Sequence, residues 1–280
     1  MGHGDRWEAV GGRDADSVVQ HAIPLICQYG KAFPGSERRV VWPDGDQGPG
    51  EAVLAAPVGL VVRDDPFILA AITLPKPKAE GSVLMTAYPA PGDGVMQRLV
   101  VHDVDEDCLG LEGWIHAKAE SEVPISFFAI DYYLDPGRYA KGSVVDVLLS
   151  GLAYTVEATT PREIVIDDPE AIRGYRESGV AVREGEPLRI STQGAAILLP
   201  IENWDPADYE FQGPLKQHTQ VLYEDRPVHC LTVTVSRAGD DDIDVLLFAC
   251  EHVLRGELPG AGADVAGKMC IMGRCVDSPS

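Results

Sequence analysis

The chain has 280 residues, with 44 Asp and Glu against 23 Lys and Arg, a formal net charge of −21. Its 45% hydrophobic content supplies enough apolar surface for a core, which excludes a disordered acidic tail. The acidic excess, with no basic run long enough to grip a phosphate backbone, opposes binding to anionic lipid or nucleic acid.

In chain order, Met1–Arg6 lacks the apolar centre of a signal peptide, and no window approaches the roughly 20 apolar residues of a membrane span. A soluble, cytoplasmic protein is expected. The first helical candidate is Asp16–Cys27, which Pro24 should kink or end. Runs rich in Val, Ile, Leu and aromatics then recur between Gly, Pro and Asp punctuation, the signature of strands. They are Val58–Arg63, Phe67–Leu74, Ser82–Tyr88, Met96–Val104, Leu111–Ala119, Pro124–Ile130 and Val144–Glu157. A helix is expected over Asp168–Glu177, with Asp168 as cap, Pro169 at the first helical position and Glu170 in the first turn. Further strands follow at Leu188–Ser191, Ala195–Ile201, Leu215–Leu222, Val228–Ser236, Asp242–Ala249 and Val265–Gly273.

Two segments match. Phe128-Ala129 aligns with Phe248-Ala249, and Gly142 with Gly262, at a constant offset of 120. A two-residue insertion in the second copy would then align Gly151 with Gly273. Each copy reads as strand, hairpin strand, strand ending in Phe-Ala, a short connection, a Gly and a closing strand. Such a count suits a small five-stranded Greek-key barrel of the OB type, the Gly supplying positive φ where the chain re-enters. The expected fold is therefore mainly β, two similar OB-like small barrels in tandem with few short helices. Residues 1–50 form a helical and irregular lead, 51–160 and 187–280 the two β domains, and 161–186 a helical linker.

The stretch FFAIDYYLDPGRYAKGSVVDVLLSGLAY, from Phe127 to Tyr154, resembles one found in uncharacterised bacterial proteins. These carry Phe-Ala-x-Asp-Tyr, Tyr-x-x-Gly and Leu-Ser-Gly-Leu-Ala-Tyr patterns. The entry to the second copy, Asp208–Pro214, resembles part of a similar family. The likeness covers about a third of the chain and implies no activity.

Chemical motifs are sparse. No phosphate loop, no Gly-x-Gly-x-x-Gly between strand and helix and no Gly-x-Ser-x-Gly elbow occurs. The six cysteines are spread through apolar stretches and read as reduced thiols, and no cofactor is implied. His229, Cys250 and His252 are the sharpest metal candidates, because residues two apart on a strand share a face; the tight Cys-x-x-Cys pairs that zinc favours are missing. Asp103, Asp105, Glu106 and Asp107 read as a solvated strand end. Tyr132, Tyr133, Tyr139 and Tyr154 are candidates for a partner-binding cluster. The expected function is a cytoplasmic binding or protein-interaction protein, its partner a protein or cationic ligand. The alternatives are a metal-dependent hydrolase and single-strand nucleic-acid binding, which the net charge disfavours. Membrane and nucleic acid are not expected partners.

Overall fold

The computed structural model describes residues 4–12, 31–32, 38–41, 52–61, 66–75, 80–119, 122–177, 186–238 and 241–276, with single positions at 16, 20, 23, 24 and 183. Most of the helix expected over Asp16–Cys27 lies outside the described residues. The described chain is mainly β, with a large mixed sheet and two α-helices, α1 (Gly4–Gly11) and α2 (Pro169–Glu177). Among the described residues no helix is long and apolar enough to cross a membrane.

A first sheet holds β1 (Lys31–Ala32), β2 (Arg38–Val41), β3 (Ala52–Val61), β4 (Phe67–Pro75) and β5 (Ser82–Pro91). The chain continues through β6 (Val95–Asp107), β7 (Glu112–Ala119), β8 (Pro124–Ala129) and β9 (Val144–Ala158). Next come β10 (Glu163–Ile166) and β11 (Leu188–Ser191), which pair with each other and bracket α2. Asp168 caps that helix as expected, its Oδ2 accepting from the Ala171 N–H at 3.0 Å. The remaining strands are β12 (Ile197–Pro200), β13 (Asp208–Tyr223), β14 (Arg226–Ala238), β15 (Asp241–Cys250) and β16 (Asp264–Cys275).

In the large sheet the pairings close on themselves twice. One cycle of five strands runs β6-β7-β8-β16-β9 and back to β6; the other runs β13-β14-β15-β9-β16 and back to β13. Each borrows the last strand of the other, so β9 and β16 belong to both and pair antiparallel along their length. The two borrowed contacts, β8–β16 and β15–β9, are the parallel ones.

The backbone bonds that shape each cycle are the same. Gly142 N–H donates to Val101 O and Gly262 N–H to Leu215 O, both at 2.8 Å. Val101 N–H donates to Ser143 O and Leu215 N–H to Ala263 O, both at 2.9 Å. Gly142 and Gly262 sit at φ 86° and 93°, the left-handed turn that glycine makes without strain. The offset of 120 also persists through the closing strands. Phe128 pairs with Met272 and Phe248 with Leu152, so no insertion intervenes. Gly151 therefore corresponds to Ile271, not Gly273. The expected match of the two glycines is a coincidence of composition; Gly273 exists because a Cβ there would lie 2.5 Å from the Phe127 ring.

Period-two alternation puts Phe127, Ala129, Leu149, Leu247, Ala249 and Ile271 in one continuous core inside the two cycles. Their neighbours Phe128, Leu152, Phe248, Cys270 and Met272 point outward into a second core. The first sheet and α1 cover it. Tyr88 of β5 meets Phe128 edge-on at 4.9 Å, and Phe67 of β4 meets Phe248 at 5.8 Å. Burial on both faces explains the unbroken apolar runs FFAI, LLFAC and MCIM.

Substituting Gly213 tests the tight crossing beside β14, since a Cβ there would stand 1.8 Å from Thr234 O. Gly213→Ala is expected to destabilise by ~1–3 kcal/mol or more. Gly260→Ala, with open space around it, should stay within ~0.5 kcal/mol. Thermal unfolding of the two variants makes the comparison.

Candidate functional site

A concave region lies where α1 meets β9, β15 and the loop before β13. The helix GDRWEAVG buries Arg6, Trp7, Ala9 and Val10 along one stripe and leaves Asp5 and Glu8 exposed. Trp7 anchors it by donating its Nε1–H to Ala87 O on β5 at 2.9 Å. Gly12 ends it at φ 62°. His252 closes the same end, its Nε2–H donating to the Glu8 carbonyl at 2.8 Å. A helix here was not legible in a short, mixed sequence; packing rather than propensity holds it.

Beside α1 is a cleft of about 530 Å³ lined by Asp5, Glu8, Asp16, Tyr154, Trp204 and His252. A second cavity of about 690 Å³ continues from Gly12 and His252 along Tyr223–Val228 to Cys250 and Glu251. Acidic side chains therefore rim both. Trp204 is 45% exposed and stacks edge-on against Tyr154 at 5.7 Å.

Beneath the cleft lies a buried polar network. Tyr154 donates its hydroxyl to Asp208 Oδ1 at 2.8 Å, and the Asp205 N–H donates to Asp208 Oδ2 at 3.2 Å. Arg6, 1% exposed, lies 4.0 Å over the Phe128 ring and 3.5 Å from Asp205 Oδ2. Burial opposes its charge, but Cys270, Tyr154, Asp205 and Asp208 more than offset that and hold it protonated. Burial pushes the Asp208 carboxyl and the Tyr154 hydroxyl up, while the Tyr154 hydrogen bond and Arg6 oppose it at Asp208.

Comparison of the chain with protein-family models, curated proteins and solved structures found no match in any of the three.

The cluster of tyrosines expected to meet a partner is divided by the fold. Tyr132, Tyr133 and Tyr139 are buried, so they form no exposed platform. Tyr139 donates to Asp131 Oδ1 at 2.5 Å and Tyr132 to Glu106 Oε1. The polar ends of the Tyr132 and Tyr139 rings are thereby satisfied, which is what lets tyrosine enter a core. Tyr154 lines the α1 cleft.

The three metal candidates are also separated in role. His252 holds α1, while His229 Nδ1 is 2.9 Å from Nε2 of His218. The Cys250 thiol is buried and pushed up to about 11, away from the thiolate that metals and electrophiles require. Cys108 and Cys230 are raised to about 11 and Cys270 to about 12 by the same desolvation. Among the described residues, no three His, Cys, Asp or Glu gather closely enough to hold a metal ion. The residues that sequence reasoning missed are Trp204, Asp5 and Glu8; Trp204 follows β12 in a turn whose neighbour across the cleft belongs to the first repeat.

The His218–His229 pair has a pH consequence. Burial, reinforced by His218, lowers the His229 pKa, with Glu251 opposing. Below the ordinary value of about 6.5 the unfolded chain binds more protons at this site, so its stabilising contribution is complete above that pH and lost on acidification. The stability gap between wild type and His229→Gln should shrink as pH falls from 7.5 to 5.5. A gap independent of pH in denaturant titrations would refute the assignment.

Proposed function

We propose that this chain is a binding protein whose cleft beside α1 receives a cationic group, on scaffolding of two OB-like barrels that share their closing strands. The two closed five-strand cycles and their common turn hydrogen bonds support the barrel reading. The observation that carries the function is the combination of an exposed indole with an acidic rim. Asp5, Glu8 and Asp16 supply negative charge, and the ring faces of Trp204 and Tyr154 attract a cation. Trp204 already holds one, for Lys268 Nζ lies 5.4 Å from its ring centre and is drawn back by Glu210 at 3.1 Å. A nucleophile is not part of this reading, because burial raises the nearby Cys250 thiol and Tyr154 phenol above their ordinary values.

Calorimetric titration with spermidine and tetramethylammonium, against neutral isosteres of each, tests the proposal. The cations should bind and the isosteres should not, with affinity falling as salt is raised. Trp204→Ala should weaken cation binding by ~3–30-fold, the range of one partly desolvated cation–π contact. Equal binding of cation and isostere, or no change in the variant, would overturn it.

A further inference from the structure

Outside the α1 cleft, three neighbouring strands of the first cycle bring a hydroxyl, an imidazole and a carboxylate into one chain of hydrogen bonds. His116 lies on β7 opposite Ser126 of β8, while β6 runs along its other side and supplies Asp105. His116 Nδ1 is 2.8 Å from Ser126 Oγ, and its Nε2 is 2.9 Å from Asp105 Oδ2. Ile115, Ala117, Ile125 and Phe127 enter the inner core, so period-two alternation turns His116 and Ser126 outward. Trp114 and Phe128, two residues along, are buried in the second core beneath the first sheet. The His116 side chain stays 31% exposed and Ser126 is partly exposed, which leaves both within reach of a reactant.

The frame does not require these residues. In the second cycle β13, β14 and β15 repeat the same three-strand pairing. A register shift marks the same place in both, between Val101 and Asp103 and between Leu215 and Gln217. Superposing those shifts, and the Ile115–Phe127 pair on Leu231–Leu247, sets Asp105 on Thr219, His116 on Thr232 and Ser126 on Leu246. Thr232 pairs with Leu246 just as His116 pairs with Ser126. The same sheet therefore forms with none of the three. Beyond its pairing with β9, the β6 edge also carries Asp103, Glu106 and Asp107, where β13 has Gln217, Gln220 and Val221.

A carboxylate only accepts, so in the neutral ring Nε2 carries the proton given to Asp105, and Nδ1 is left to take one from the Ser126 hydroxyl. A serine nucleophile needs that order: a base within hydrogen-bond reach and a carboxylate orienting the base. Beside it, Tyr209 Oη accepts the Ser126 N–H at 2.8 Å. Burial raises the Tyr209 phenol, with the Ser126 side chain and amide opposing, so its own O–H is retained and can donate to charge developing near Oγ. We propose that Ser126 and His116, the latter positioned by Asp105, hydrolyse an uncharged or cationic carboxylic ester through an acyl-serine. Ser126 Oγ bonds to the ester carbonyl carbon as its proton passes to His116 Nδ1, and Tyr209 donates to the carbonyl oxygen. The bond from carbon to the alcohol oxygen then breaks, and the alcohol leaves with that proton. Water attacks the acyl carbon and gives its proton to Nδ1. The bond to Oγ breaks as Oγ takes that proton back, which releases the carboxylic acid. Asp103, opposite His116, and Asp105 turn anionic esters away.

The test is hydrolysis of p-nitrophenyl acetate by the full chain, with a fluorophosphonate probe and peptide mass mapping to locate the residue it labels. Wild type should release p-nitrophenol above the buffer rate and take the label on Ser126. Ser126→Ala should remove both, and His116→Gln should lower kcat by ~10²-fold. Asp105→Asn should lower kcat at unchanged KM and unchanged melting midpoint, and Asp105→Glu should restore part of the loss. Labelling of wild type needs no variant, which keeps the test decisive where a substitution unfolds the chain. No turnover by wild type, a rate untouched by Ser126→Ala, or a label on another residue would each overturn the proposal.

Discussion

β9 and β16 each meet three neighbours although a strand has only two edges. One edge of each is given wholly to the other, through the ladder from Val265–Ala158 to Cys275–Val147. The second edge is divided. β9 pairs with β6 up to Leu149 and with β15 from Ser150; β16 pairs with β13 up to Cys270 and with β8 from Met272. Changing partner part-way is what closes both cycles with shared material. It also explains the strand lengths of 15 and 12 residues, since a shorter strand could not serve two partners in succession. No strand edge within the paired segments of either cycle is left for water, so the backbone bonds there are buried and mutually dependent.

Sharing imposes a second demand, for close approach. Where the shared strands pass their neighbours, side chains are removed: a Cβ on Gly267 would fall 1.9 Å from Thr155 O, and one on Gly273 would enter the Phe127 ring. Aromatic bulk on one strand is matched by glycine on the next, which keeps the core dense without strain. Because the shared strands bury both faces, the outward face needs a lid of its own. The first sheet and α1 supply it, and the cleft forms where α1 stops short at Gly12. The candidate site is therefore a consequence of covering the shared ladder.

The sequence made the strands legible because period, punctuation and β-branched content act locally. It also made the two re-entry glycines legible, since positive φ has few other solutions, and the α2 cap, since Asp-Pro-Glu is a local signal. The exchange of closing strands was not legible, because a parallel contact between Phe128 and Met272 leaves no mark in either segment alone. Tyrosines misled for a related reason. Whether a ring faces water or core depends on whether its hydroxyl finds a partner, and for Tyr132 that partner is Glu106, on a strand two elements earlier. Arg6 was invisible for the same cause: one basic residue in an acidic chain gains its meaning from Asp205 and Phe128, distant in sequence.

Backbone bonds common to both cycles mean that what the copies share is scaffolding, and chemistry resides where they differ. At the offset of 120, Tyr132 becomes His252, so a buried phenol holding Glu106 is replaced by an imidazole holding α1. Tyr154 becomes Arg274, so one closing strand lines the acidic cleft while the other donates to the Gly92 carbonyl. The edge carboxylates of the first copy have uncharged counterparts in the second. The charge of −21 is thus distributed unevenly over two copies of one frame. A uniform acidic coat would do no more than keep the protein in solution; these carboxylates instead gather around the α1 cleft and along one edge but not its twin.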